Sequence, residues 1–424
     1  MADARILRPD DLGALVPGFD GIEPVTEGPL SGIEAVVKDC FAVEGHTSSN
    51  GSERWLETHG PATLNSRVIS ELLSGGASIV GMGRLDQIAF SLVGDTPVGG
   101  APLNPRHPEL FCGGSSAGCA SAVAGGRASL GIGTDTAGSV RVPAALCGLH
   151  GLRPTWGSID LTGCIPLAPS FDTAGILAAN PLVLRRALRA LSKLPPPESL
   201  ITRVVVDPSL SADPQGLVRT AQRVATQTGA SLEEVDLAHL VNPDVAALHN
   251  RLQGREVWGC RGNWATTNME ALDEDIAYRL RACAEFAAED SETVDVNRRD
   301  RQAFTELLAE VNDDRALLVK PILGRPLPKL ESTPDARRSF RRSTIELAAA
   351  AGLAGWPELT WTSAEARRDP SSAVGLLTRP GNDELLVDVL ERLWANEGAE
   401  RPASDVSGEP RHLPAVQPPW GPNT

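Results

Sequence analysis

Apolar positions fall into two kinds of run along this chain. One kind is short and continuous: in residues 32–39, Ala35, Val36 and Val37 lead into Lys38 and Asp39, the pattern of a buried strand running out into polar residues. Residues 77–82, 128–133, 203–206, 317–319 and 374–377 are runs of the same type. The other kind is periodic. Val68, Ile69, Leu72 and Leu73 share one face of a helix over 65–74, stopped by Gly75-Gly76. Val183, Leu184, Leu188 and Leu191 do the same over 182–194, ahead of three prolines, and Phe304, Leu307, Leu308 and Val311 mark 301–312. Helices are also expected over 85–92, 117–127, 143–147, 214–228, 279–289, 335–351 and 382–394. Strands and helices interleave throughout, which is the pattern of an α/β fold. It is weakest over 195–330, where Trp258, Trp264 and Phe286 serve either as core or as pocket lining. Residues 397–424, rich in proline and poor in apolar residues, read as a disordered tail.

Two clusters of small residues break this pattern. Gly113-Gly114-Ser115-Ser116-Ala117-Gly118 precedes the Ala- and Gly-rich helix expected from 117, and Gly133-Thr134-Asp135-Thr136-Ala137-Gly138-Ser139 follows a buried strand. A bare backbone lets its N–H groups approach a ligand oxygen closely, so a serine ending such a turn has anion-stabilising donors beside its hydroxyl. Acyl transfer needs that arrangement, because charge develops on the carbonyl oxygen as the nucleophile attacks. The bland alternatives are that Ser115 and Ser116 only cap the helix, and that Lys38 sits on an exposed strand rim. An apolar setting for Lys38 would instead disfavour the ammonium form and leave an amine able to accept a proton.

Charge and cysteines narrow the function. The net charge is −15, with acidic residues spread out and no basic cluster, which excludes a nucleic-acid surface. Only Lys38, Lys193, Lys320 and Lys329 are lysines, so a lysine in an apolar run is not the product of a lysine-rich background. Seven scattered cysteines form no Cys-x-x-Cys pair, and no histidines have metal-ligand spacing; reduced thiols in a cytoplasmic protein without a metal are the expectation. Cys112 and Cys119 flank the first serine pair, but neither has a histidine in view to make it a nucleophile. No signal core and no run long enough to span a membrane is present.

The lysine, the two small-residue clusters and the following stretch together resemble the signature of the amidase signature family. The resemblance rests on Val37-Lys38-Asp39 with Phe41 and Gly45, on residues 113–118, on residues 133–145 through Val140-Arg141-Val142-Pro143, and on Gly148 with Gly151-Leu152-Arg153-Pro154-Thr155. Trp55-Leu56-Glu57-Thr58-His59, Gly100-Ala101-Pro102-Leu103-Asn104-Pro105 and Ser170-Phe171-Asp172-Thr173-Ala174-Gly175 are most similar to the indole-3-acetamide hydrolase-like branch and its bacterial relatives.

The resemblance implies one α/β/α domain over residues 1–396, a mixed central sheet with helices on both faces. Within it, 30–195 form the signature core, 195–330 a variable substrate-side region and 331–396 a return to the core. It implies Ser139 as nucleophile, Ser115 as the bridging serine after a cis peptide bond, and Lys38 as base. The backbone N–H groups of Thr136, Ala137, Gly138 and Ser139 would form the oxyanion hole, with Ser116, Asp135 and Arg141 in support. The implied reaction is hydrolysis of a small carboxamide through an acyl-serine, without cofactor or metal, in a chain whose partner is that small amide and which could form a homodimer. Transfer of the acyl group to another amine is the first alternative, and a non-catalytic docking module on the same fold the second. Ala117 and Ala137 stand where the family commonly has glycine, and Gln87 where it commonly has an acid, which puts any acidic role at 87 in doubt.

Overall fold

The computed structural model describes residues 10–397 apart from 97, 198 and 199. The expected disordered tail therefore lies outside the described residues except for Glu397, which is buried and pairs with Arg367.

Among the described residues ten strands form one mixed sheet. In chain order they are β1 (Glu34–Lys38), β2 (Ser78–Gly83), β3 (Leu130–Asp135), β4 (His150–Arg153), β5 (Thr173–Ala178), β6 (Arg203–Val206), β7 (Ser231–Glu234), β8 (Ala316–Pro321), β9 (Glu358–Trp361) and β10 (Val374–Leu377). Across the sheet they run β2-β1-β3-β5-β4-β9-β10-β8-β6-β7. The outer pairs are parallel and the middle is antiparallel from β3 through β5, β4, β9 and β10 to β8. β1, β3 and β5 are almost wholly buried, as strands covered on both faces must be.

Among the described residues eleven α-helices accompany the sheet: α1 (Glu53–Thr58), α2 (Arg67–Ser74), α3 (Ala117–Ala124), α4 (Arg141–Leu146), α5 (Pro181–Leu191), α6 (Pro214–Thr228), α7 (Pro243–Asn268), α8 (Glu274–Ala287), α9 (Ser291–Val311), α10 (Pro334–Ala354) and α11 (Asp383–Ala395). α2, α5, α11 and α6 pack side by side, while α3 and α4 meet each other and α10 packs on α7 and α9. The periodic apolar faces do the burying: Val68, Ile69, Leu72 and Leu73 of α2 are all in the core, as expected. α3 can lie close to its neighbours because it has almost no side chains. A Cβ on Gly118 would stand 2.2 Å from the Ala14 carbonyl oxygen.

Two sequence expectations change. Residues 85–92 form no α-helix; a single turn at Gln87–Ala89 holds Ile88 and Ala89 at φ +49° and +60°. The 26-residue α7 was not legible as a helix at all. Its buried stripe is helically spaced, but it includes His249, Gln253, Arg261 and Asn268, so no apolar period marks it.

Candidate active site

The site forms where the C-terminal ends of β1 and β3 meet the start of α3. β1 and β3 are parallel neighbours, with Val37 opposite Ile132, so Lys38 and Thr134 arrive at the same edge of the sheet. Lys38 is fully buried rather than on a rim. Its Nζ donates to Ser115 Oγ at 2.8 Å and to Thr134 Oγ1 at 2.7 Å. Thr134 was not singled out from the sequence; the signal was its place two residues beyond a buried isoleucine on a strand beside the lysine strand.

Ser115 follows a cis peptide bond from Gly114, and its carbonyl accepts from the Asp86 N–H at 3.2 Å. Ser116 is the residue before α3, yet its hydroxyl caps nothing and has no partner among the described residues. It packs against bare backbone: a Cβ on Gly133 would fall 2.4 Å from Ser116 Oγ. The Ser116 N–H donates to the Ser139 carbonyl at 3.3 Å, which ties the two small-residue clusters together. Ser139 is 4% exposed and precedes α4 by two residues. Gly138 has φ +114°, a conformation open to glycine and closed to other residues, so the turn into Ser139 requires it.

A buried ion cluster holds that turn. The Asp135 carboxylate accepts from the N–H groups of Gly138 (2.9 Å), Val140 (3.2 Å) and Arg141 (3.3 Å), and from the Arg141 Nε (3.0 Å) and Nη2 (2.8 Å). Arg153 adds a contact at 3.3 Å and donates to the Asp135 carbonyl at 2.6 Å. Burial alone would raise the Asp135 carboxyl, but the charges of Arg141 and Arg153 hold it well below the usual carboxylate range. Arg141 also pairs with Glu358 of β9, which in turn pairs with Lys320 at 2.5 Å; burial pushes the Lys320 ammonium down. Glu358 carried no distinguishing sequence pattern, whereas Arg153 stands in the Gly151–Thr155 stretch that carries the resemblance. One consequence concerns the expected oxyanion donors: the Gly138 N–H is already taken by Asp135.

The surroundings fix the remaining loops. Asp39 accepts from His46 Nε2 (2.8 Å), Ser49 N–H (2.8 Å) and Ser49 Oγ (2.6 Å), anchoring the chain after Lys38. Thr136 Oγ1 donates to Asp172 at 2.6 Å, and Asp172 also accepts from the N–H groups of Leu167 and Ala168; burial raises its carboxyl. Gln87 does not stand in for an acid: its amide bridges the α7–α8 connection, accepting from Asp273 N–H at 2.7 Å and donating to the Ala271 carbonyl at 3.3 Å. Cys119 is buried, and burial raises its thiol, the opposite of what a nucleophile needs. Among the described residues no group of His, Cys, Asp or Glu is placed to hold a metal.

Asp86 lies against Gly114. Burial first, then the charge of Asp95, push its carboxyl up to about 7. A carboxyl raised in the folded chain binds its proton more tightly than in the unfolded chain, so it costs stability as pH rises from about 4 through 7. Asp86→Asn is therefore expected to be more stable than the wild type near pH 8, by a margin of a few kcal/mol at most, the margin closing toward pH 4. Chemical denaturation across that range measures it; a margin independent of pH would contradict it.

The family model named Amidase matches residues 22–242. The chain belongs to the amidase family. Over 91% of its length it is 28% identical to translocon at the outer membrane of chloroplasts 64 from Pisum sativum, covering 70% of that protein. It is 28% identical to amidase 1 from Oryza sativa subsp. japonica, covering 91% of this chain and 95% of that one. A crystal structure of an amidase superposes with a TM-score of 0.76 at 24% identity, covering 87% of this chain and 85% of that one, a likeness of fold. This amidase is an enzyme acting on amide carbon–nitrogen bonds of small substrates. The expected cytoplasmic location is corrected by the same comparison, since a relative matching nearly the whole chain is named for the chloroplast outer membrane. Cysteine usage reports redox state and is blind to attachment at a membrane surface. No described helix is long and apolar enough to cross a membrane.

Proposed function

We propose that this amidase hydrolyses a small carboxamide through an acyl-enzyme on Ser139, with Ser115 and Lys38 as proton relay. The observation that carries the reading is the buried contact of Lys38 Nζ with Ser115 Oγ at 2.8 Å. An alcohol is a weak nucleophile and needs a base beside it. The 2.8 Å contact is short enough for a proton to pass either way, from Ser139 through Ser115 to Lys38 during attack and back to the departing amine as the tetrahedral intermediate collapses. Water then attacks the ester on Ser139 by the same relay, releasing the carboxylate. Thr134 Oγ1 occupies a second N–H of Lys38 and so orients the amine toward Ser115.

With the Gly138 N–H held by Asp135, the donors left to the developing oxyanion are the N–H groups of Thr136, Ala137 and Ser139. Asp135 and Arg141 act as positioning residues for this turn, and Ser116 for the packing of the two clusters. What supports catalysis over a docking module on the same fold is the contact of Lys38 with Ser115 and Thr134: a docking surface has no use for a buried lysine held by two hydroxyls.

Release of ammonia or amine from a panel of small carboxamides tests the reading. Turnover by the wild type that disappears in Ser139→Ala supports it. Absence of turnover, together with no labelling of Ser139 by a fluorophosphonate, would overturn it.

A further inference from the structure

Helix α7 packs against the chain before β5, where the His249 and Phe171 rings meet at 5.1 Å, and it buries an arginine that nothing in the relay uses. Arg261 is 2% exposed, and its Nε and Nη2 have no hydrogen-bond partner among the described residues. These two nitrogens form the side-on fork of the guanidinium, the edge whose parallel N–H groups match the two oxygens of a carboxylate. The flat face of the same group lies over the Trp55 ring at 5.0 Å. Trp55 is stacked on His59 at 3.9 Å and packs against Trp264 at 5.0 Å, so the stacking partner is itself fixed.

Contacts of α7 place Arg261 beside the site's surroundings: Glu256, five residues before it on the same helix, accepts from the Ser170 N–H at 2.8 Å, and Ser170 lies two residues before Asp172. Asp172 holds the Thr136 hydroxyl on the loop before Ser139. Asp172 does not neutralise Arg261 by contact, because one oxygen takes Thr136 and the other takes the N–H groups of Leu167 and Ala168. Burying a guanidinium with neither an ion-pair partner nor hydrogen bonds on its fork is costly, unless a ligand completes it.

We propose that Arg261 is the anion-binding residue of the substrate pocket, and that the amide hydrolysed here carries a carboxylate remote from the scissile bond. The proposal rests on the amidase reading of Ser139 and adds the substrate class. The carboxylate seats side-on against Nε and Nη2 of Arg261. A ligand with no anionic end leaves that fork empty and loses the paired hydrogen bonds.

The test compares kcat/KM for succinamate and glutaramate, which carry the carboxylate on the acyl side, and N-acetyl-β-alanine, which carries it on the amine side, with butyramide as the neutral reference. Wild type, Arg261→Gln and Arg261→Lys are measured. The expected result is a preference of about 10²-fold or more for one of the carboxylated amides, and the productive one tells which side of the bond Arg261 serves. In Arg261→Gln that preference collapses, chiefly through KM; Arg261→Lys retains part of it. A merely structural arginine would lower charged and neutral substrates together, and that result overturns the proposal, as does a wild type without preference.

Should no amide be turned over with dependence on Ser139, the amidase reading fails separately. Calorimetry of succinate and glutarate binding to the Ser139→Ala protein then decides the pocket. Binding that is lost on adding Arg261→Gln supports the proposal, and no binding by the Ser139→Ala protein overturns it.

Discussion

Replacing Lys38 by alanine is expected to lower kcat/KM for amide hydrolysis by about 10³-fold or more, with little change in KM. The lysine is buried, hydrogen-bonded to both Ser115 and Thr134, and it sits at the end of a strand whose Ala35, Val36 and Val37 are core. Removing it takes away the only base in contact with the bridging serine among the described residues, so the loss falls on the chemical step. Lys38→Arg is expected to be as inactive, since a guanidinium stays protonated and cannot take the proton. Esters have better leaving groups and need less help in the second proton transfer, so ester turnover is expected to fall less than amide turnover. Steady-state kinetics with a matched amide and ester checks both points; equal losses would mean that Lys38 acts by holding the site together and not by moving protons.

The second large effect is expected from Asp135→Asn. Asp135 is the shared partner of Arg141 and Arg153 and the acceptor for three N–H groups of the turn that presents Ser139. The change leaves two buried guanidinium groups short of a counter-charge, with Glu358 already shared between Arg141 and Lys320. Removing one partner from a buried ion cluster costs about 3–5 kcal/mol, and that loss of unfolding free energy is expected in denaturant titration near neutral pH. The sign of its pH dependence follows from the depressed carboxyl. Its stabilisation is present above the ordinary carboxylate range near 4 and is lost as pH falls toward the much lower folded value, so wild type and variant converge only in strong acid. Turnover is expected to fall as well, because the Gly138 turn loses its anchor. A variant as stable as the wild type would mean that the arginines find other partners.

The parts legible in the sequence were those in which a single physical demand set every residue. β1 and β3 must be apolar because both faces are covered, and the two small-residue clusters must be bare because they touch. A Cβ on Gly133 would strike Ser116, and Gly138 has a conformation that side chains avoid. The parts that stayed hidden are those in which two demands compete. Residues 85–92 have the apolar spacing of a helix, but Asp86 donates its N–H to Ser115 and Ile88 donates to Asn50, and the chain turns instead. α7 buries polar side chains together with apolar ones, so His249, Gln253 and Arg261 occupy positions that a plain core helix would fill with leucine. His249 shows the same tension: burial pushes its imidazole down to about 3, and neither ring nitrogen has a partner among the described residues. Glu358 is invisible in the sequence for a different reason. Its partners are Arg141, more than 200 positions away, and Lys320, which the spacing of β9 does not reveal.

The most direct test of the central claim is to trap the acyl-enzyme. Protein is quenched in acid during turnover of the best substrate, digested, and searched by mass spectrometry for the added acyl mass. The account predicts the acyl group on the peptide carrying Ser139, with no adduct and no turnover in Ser139→Ala. Turnover that persists in Ser139→Ala, or an acyl group carried by Ser115 or by a cysteine instead, would contradict it.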